Sequence, residues 1–191
     1  MPGSKNLTDG PRLAMLLLLA CLAGCTGPAA SQRFQLTRID ATWSNGKLMV
    51  GYEQDLALSS EAREALIHGV PLTINIELTL RDASSQVRVA ELVNHYEIRY
   101  LPLSDHYRLT VADGVSVKTY PRLRHVLAEL SELRISLPTG ALPSGNYEIL
   151  ARTRLDQSSM PPPMRLPVLL SSSWQHDSTW SSWPLELQPE A

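Results

Sequence analysis

Cysteine is nearly missing from this 191-residue chain: there are two, Cys21 and Cys25, both before residue 26. The body of the protein therefore holds no disulfide framework and no four-cysteine zinc site. An excess of either charge is missing as well. Lys and Arg total 17 against 19 Asp and Glu, with 43% hydrophobic residues. That balance excludes a disordered chain and the basic surface of a nucleic-acid binder. The chain has no Gly-x-Ser-x-Gly elbow, no phosphate-binding glycine loop and no internal repeat. Its histidines, His68, His95, His106, His125 and His176, are scattered, with no two at a helical metal-binding spacing. Ser104-Asp105-His106 holds triad residue types, but neighbours along a strand point to opposite faces and form no relay. No cofactor, metal or catalytic residue is assigned, and the chain is not expected to be an enzyme.

What is present begins with an export signal. Lys5 and Arg12 make a positive n-region, weakened by Asp9, and Leu13 to Leu22 form an uncharged apolar run. Ten residues is about half of what a spanning helix needs, so the run is a signal h-region rather than an anchor. Cys21 inside it serves as a small apolar residue. Leu22-Ala23-Gly24-Cys25 then resembles the lipobox of bacterial lipoproteins, which places the lipid on Cys25. The expected organisation is a signal peptide over 1–24, a small, polar tether over 25–33 and one domain over 34–188. After cleavage 15 basic and 18 acidic side chains remain, so attachment rests on the lipid and not on charge. Thr26 is not the aspartate that retains lipoproteins at the inner membrane. The resemblance implies the periplasmic face of the outer membrane.

The domain reads as mainly β. Phe34 to Ile39 and Lys47 to Glu53 form a hairpin across Ser44-Asn45-Gly46. Leu72, Ile74, Ile76, Leu78 and Leu80 alternate with polar residues, predicting a strand with one buried and one wet face. Val87 to Val93, Tyr96 to Leu101, Tyr107 to Val111 and Tyr147 to Leu155 read likewise. Leu166 to Leu170 is a last candidate, pushed to an edge by Pro167. Ser59 or Ser60 caps a short helix through His68, stopped by Gly69. Pro121 opens a second, with Leu123, Val126, Leu127, Leu130 and Leu133 on one stripe. These elements predict an antiparallel, immunoglobulin-like β-sandwich with one or two short covering helices.

Three stretches are distinctive: 58–78, a small helix feeding a strand through Gly-Val-Pro-Leu; 98–110, a strand turning at Leu103-Ser104-Asp105; and 147–187. The last holds Arg152-Thr153-Arg154-Leu155-Asp156, a Pro-rich segment, Trp174 and a Ser-x-Trp-x-x-Trp ending at Trp183. From about 34 to 187 the chain resembles the DUF4390 family of exported proteobacterial proteins. Family members are often encoded beside a nitrogen-regulation-type sensor kinase, so the resemblance implies a mainly β domain and a place in envelope signalling. Arg152, Arg154 and Asp156 alternate toward one face and are candidates for a partner contact, with Trp180 as an aromatic anchor. The bland alternatives are a solvated strand face, and tryptophans that fasten the C-terminal segment to the domain. Met160-Pro161-Pro162-Pro163-Met164 reads as a rigid turn between strands, or as a polyproline ligand. The expected function is a non-catalytic envelope interaction or sensing module; the alternative is a glycan- or peptidoglycan-binding or structural lipoprotein using the tryptophans.

Overall fold

The computed structural model describes residues 34–44, 47–111 and 116–188. The export signal, Cys21, Cys25, the tether and Asn45-Gly46 lie outside them.

The chain pairs early. β1 (Phe34–Ser44) and β2 (Lys47–Leu56) are antiparallel, with Ser44 opposite Lys47, the register that a two-residue hairpin connection requires. α1 (Ser60–Ile67) follows. The Ser59 hydroxyl accepts from the Ala62 N–H at 3.1 Å, and Ala62 and Leu66 are buried. Gly69 ends the helix at φ +88°, a conformation that glycine adopts without a Cβ clash.

β3 (Leu72–Asp82) buries all five of its alternating aliphatic residues. Its second face is not wet as expected: Asn75 is buried and Glu77 is partly covered. The reason is position. β3 lies between β4 (Arg88–Leu101) and β8 (Gly145–Leu155), whose long side chains lean over it. β4 is one continuous strand where two were read. β5 (His106–Val111) and β6 (Val117–Tyr120) complete that flank; β6 is four residues long and escaped the sequence reading.

α2 (Leu123–Ser131) buries Val126 and Leu130, while Leu133 belongs to β7 (Glu132–Leu137). Leu130 and Leu133 fit both a helical stripe and the start of an alternating strand, which hid the boundary. β8 buries Tyr147, Ile149, Ala151, Thr153 and Leu155 on one face.

Leu166 to Leu170 is not a strand. It lies in α3 (Pro162–Leu170), and the Met160 to Met164 segment is neither a turn between strands nor an extended polyproline stretch. Pro161 caps the helix and Pro162-Pro163 form its first turn, where the fixed φ of proline is already helical. The last strand is instead β9 (Ser181–Leu187), an edge strand that tolerates Pro184.

Two antiparallel sheets result, in orders β1-β2-β7 and β6-β5-β4-β3-β8-β9. One core joins them, with Phe34, Leu48, Val50 and Tyr52 from the smaller sheet and Ile74, Leu78, Ile98 and Ile149 from the larger. Leu72 pairs with Ile98 and Ile74 with Leu155, so the start of β3 and the ends of β4 and β8 share one end of the larger sheet.

Candidate functional site

The alternation of β8 sends Thr153 inward and Arg152 and Arg154 outward. Thr153 is held from three sides. Its hydroxyl donates to Gln54 Oε1 at 2.6 Å and accepts from the Tyr52 hydroxyl at 2.7 Å. Its N–H donates to Ser178 Oγ at 2.9 Å, and Gln54 in turn donates to the Leu130 carbonyl at 2.8 Å. This buried network ties β2, α2 and the C-terminal segment to one point of β8, and it sets the direction of both arginines. Burial pushes the Tyr52 phenol upward, and the Thr153 hydrogen bond offsets only part of that, so it stays a neutral donor.

The C-terminal segment runs antiparallel along β8. Leu155 N–H donates to the His176 carbonyl and Ser178 N–H to the Thr153 carbonyl, both at 2.9 Å. Asp177 forms a bridge opposite Arg154, and Ser181 pairs with Ala151. Three residues, 178–180, thus lie opposite two, 152–153, a bulge. Thr179 takes up the extra residue at φ 60°, an unfavourable conformation for a β-branched side chain. Its N–H donates to Asp177 Oδ1 at 2.8 Å. The kink leaves Trp180 outside, 46% exposed. Trp174, by contrast, is buried, and Trp183 packs against the core. The tryptophans divide their work: two fasten the segment and one faces solvent.

Both arginines already have anionic partners. Arg152 Nε donates to Asp177 Oδ1 at 2.9 Å and to Oδ2 at 3.1 Å, and Nη2 also reaches Oδ2. Its guanidinium carbon stands 5.9 Å from the centroid of the Trp180 ring. Arg154 Nε donates to Glu77 Oε1. Burial pushes the Asp177 carboxyl upward, but the Arg152 hydrogen bonds, the Thr179 N–H and the charges of Arg152 and Arg154 together leave it below the usual carboxylate range. The Asp177 hydrogen bond raises Arg152.

Asp156 follows the strand and turns inward on its own chain, its carboxylate accepting from Ser158 N–H and Oγ. The three residues expected to act together do line one cleft, of about 420 Å³, with Asp177, His176 and Leu169. They do not pair with one another. With Glu77, Asp156 and Asp177 beside two arginines, this is no anion trap; its chemistry is that of a pre-set polar contact surface. On the far side of Trp180 a second cleft of about 370 Å³ is lined by Thr79, Arg81, Arg88 and Leu150.

Asp177 and Glu77 are the partners that sequence reading missed. Both sit outside the Arg-x-Arg motif, and only cross-strand register brings them to it. Among the other candidates, Asp105 accepts from the Tyr100 hydroxyl at 2.8 Å and His106 Nδ1 meets the Ser104 carbonyl. These bonds leave the two side chains turned to different partners. His176 is buried, its Nε2 accepting from Ser59 N–H at 2.9 Å. Among the described residues no group of three His, Cys, Asp or Glu side chains is placed to hold a metal ion.

Fold and site together define a mainly β, two-sheet domain with a charged, aromatic-edged sheet face. The family model "Domain of unknown function (DUF4390)" matches residues 31–184, and the chain belongs to that family. No curated protein and no solved structure matches it.

Proposed function

We propose that the chain is an envelope interaction or sensing module, held by a lipid on Cys25 at the periplasmic face of the outer membrane, and that it works by contact rather than catalysis. One observation carries the contact reading. Trp180 is projected by a strained bulge and fixed under an arginine that Asp177 already clamps. Tryptophan and arginine are the side chains that most often dominate interface energies, and rigid ones lose least entropy on binding. The contact surface comprises Trp180, Arg152 and Arg154, with Asp156 at its margin. Its partner is an envelope protein, and the sensor kinase encoded beside family members is the first candidate. In the anchoring reading the lipid does the holding; among the described residues no helix is long and apolar enough to cross a membrane.

The finer reading of the fold, an immunoglobulin-like sandwich, is supported by two antiparallel sheets closing on one core. The run β6-β5-β4-β3 is a meander, so the likeness is one of architecture and not of strand order.

In-cell crosslinking of the tagged chain, read by mass spectrometry, tests the function. Trp180→Ala is the first variant, because its ring is half outside and its loss leaves the ion pairs intact. Arg154→Glu is a poorer probe, since it would set two carboxylates against each other at Glu77. One envelope protein captured by the native chain and lost with Trp180→Ala is the expected result. Equal capture by both chains would remove Trp180 from the contact. The wall-glycan reading would rest on Trp180 alone among the three C-terminal rings, and tryptophan emission unmoved by saturating muropeptides would exclude it.

A further inference from the structure

Among the described residues five leucines and isoleucines are exposed: Ile67, Leu103, Leu166, Leu169 and Leu170. Chain topology gathers them at one end. Ile67 closes α1 just before β3 starts, Leu103 lies in the turn after β4, and α3 follows the end of β8. Those three strand ends are side by side by register. α3 holds the core of the patch: Leu166, Leu169 and Leu170 are 72%, 55% and 86% exposed, while Val168 turns inward. Arg165 is the only charged side chain in this helix, and its Nε bonds the Met160 carbonyl. The segments that carry the patch also hold Arg63 and Arg165 against Glu61, Glu64, Asp105 and Asp156, a mildly acidic set with no basic cluster. An uncharged, apolar surface is what such an end complements.

The described chain also begins there. The Phe34 ring meets the His176 ring at 5.3 Å, and His176 lines the same cleft as Leu169. Nine residues, 25–33, separate Phe34 from the proposed lipid on Cys25. At full extension they reach about 30 Å, so the anchor keeps this end near the bilayer at high effective concentration.

We propose that this end of the domain docks on the lipid bilayer surface, with α3 lying in the interface and its leucines entering the acyl boundary. The inference deepens the anchoring reading and rests on it. It would give the domain a fixed orientation, with the cleft of Arg154, Asp156 and Leu169 at the edge of the docked end and Trp180 farther along β8 from it.

The test uses the full chain, produced with its signal and reconstituted into phosphatidylethanolamine–phosphatidylglycerol vesicles. Single cysteines are introduced as Leu166→Cys, Leu103→Cys and Ser84→Cys, the last in the turn at the opposite end of the sheet, and labelled with a polarity-sensitive fluorophore. The mass of the mature chain reports separately whether Cys25 carries lipid. The expected result is a blue-shifted emission, severalfold brighter, at 166 and 103, quenched by nitroxide lipids, with aqueous emission at 84. A lipidated chain with aqueous emission at all three positions overturns the docking and leaves the anchor standing. A chain without lipid fails the anchoring reading; the same variants on a Cys21→Ser, Cys25→Ser background then carry one thiol each, and a vesicle-dependent shift at 166 and 103 would still support the docking, while no shift would overturn it. A shift that follows protein concentration without vesicles would assign the patch to a second copy of the chain and overturn the proposal.

Discussion

Asp177 is pulled in two directions, and the outcome can be read against pH. Burial favours its neutral form, while Arg152, Arg154 and the Thr179 N–H favour the carboxylate and prevail. Its folded pKa therefore lies below the unfolded value of about 4. A group depressed in this way adds stability that is complete above the unfolded value and disappears as pH falls through the folded one. Asp177→Asn is expected to lower stability at neutral pH, with the deficit shrinking below about pH 4. Urea unfolding across that range measures it, and a deficit that stays constant down to about pH 2 would show that the carboxylate charge is not what matters. The same substitution releases Arg152 from its clamp, so the Trp180 emission should move at neutral pH. None of this was visible in the sequence. Asp177 is 25 residues from Arg152 and belongs to no motif with it.

At the scale of elements, the parts governed by neighbours in the chain were legible. The start of α1 at Ser59, its stop at Gly69 and the alternation of β3 and β8 all follow from side chains within a few positions. Ser59→Ala should cost about 1 kcal/mol by leaving the Ala62 N–H without its acceptor, whereas Ser59→Asp should restore most of it. Thermal unfolding separates the two, and equal losses would show that Ser59 matters for its packing beside His176 instead. β7 and α3 were misread for opposite reasons. At β7 a leucine spacing satisfied two periods at once. At α3 the apolar run Leu166 to Leu170 had the composition of a strand, but Pro162 and Pro163 upstream had already opened a helix with their fixed φ.

Across the whole molecule, Thr153 is where the two sheets agree. Its hydroxyl links Tyr52 on the smaller sheet to β8 on the larger, through a group that is itself fully buried. Thr153→Val keeps the shape and removes the hydroxyl, leaving Tyr52 and Gln54 each short of a partner. A loss of about 1–3 kcal/mol is expected, measured by urea unfolding with an unchanged m-value. A loss under about 0.5 kcal/mol would mean that Tyr52 and Gln54 find each other without it. Because the same residue aligns Arg152 and Arg154, a weakened Thr153 should also broaden the Trp180 emission.

The sequence by itself determined the family, the mainly β character, the inward faces of β3 and β8 and the cap of α1. These depend on periodicity and on contacts a few residues apart, which a linear chain displays directly. It also singled out Arg152, Arg154 and Trp180 as residues to watch. The tertiary structure alone decided their circumstances: that Asp177 and Glu77 neutralise the arginines, that a bulge at Thr179 turns Trp180 outward while Trp174 goes in, and that exposed aliphatic residues of three separate segments lie at the end of the larger sheet where Phe34 enters. Each of these depends on strand register and packing between residues far apart in sequence, where a shift of one position would send every side chain to the other face.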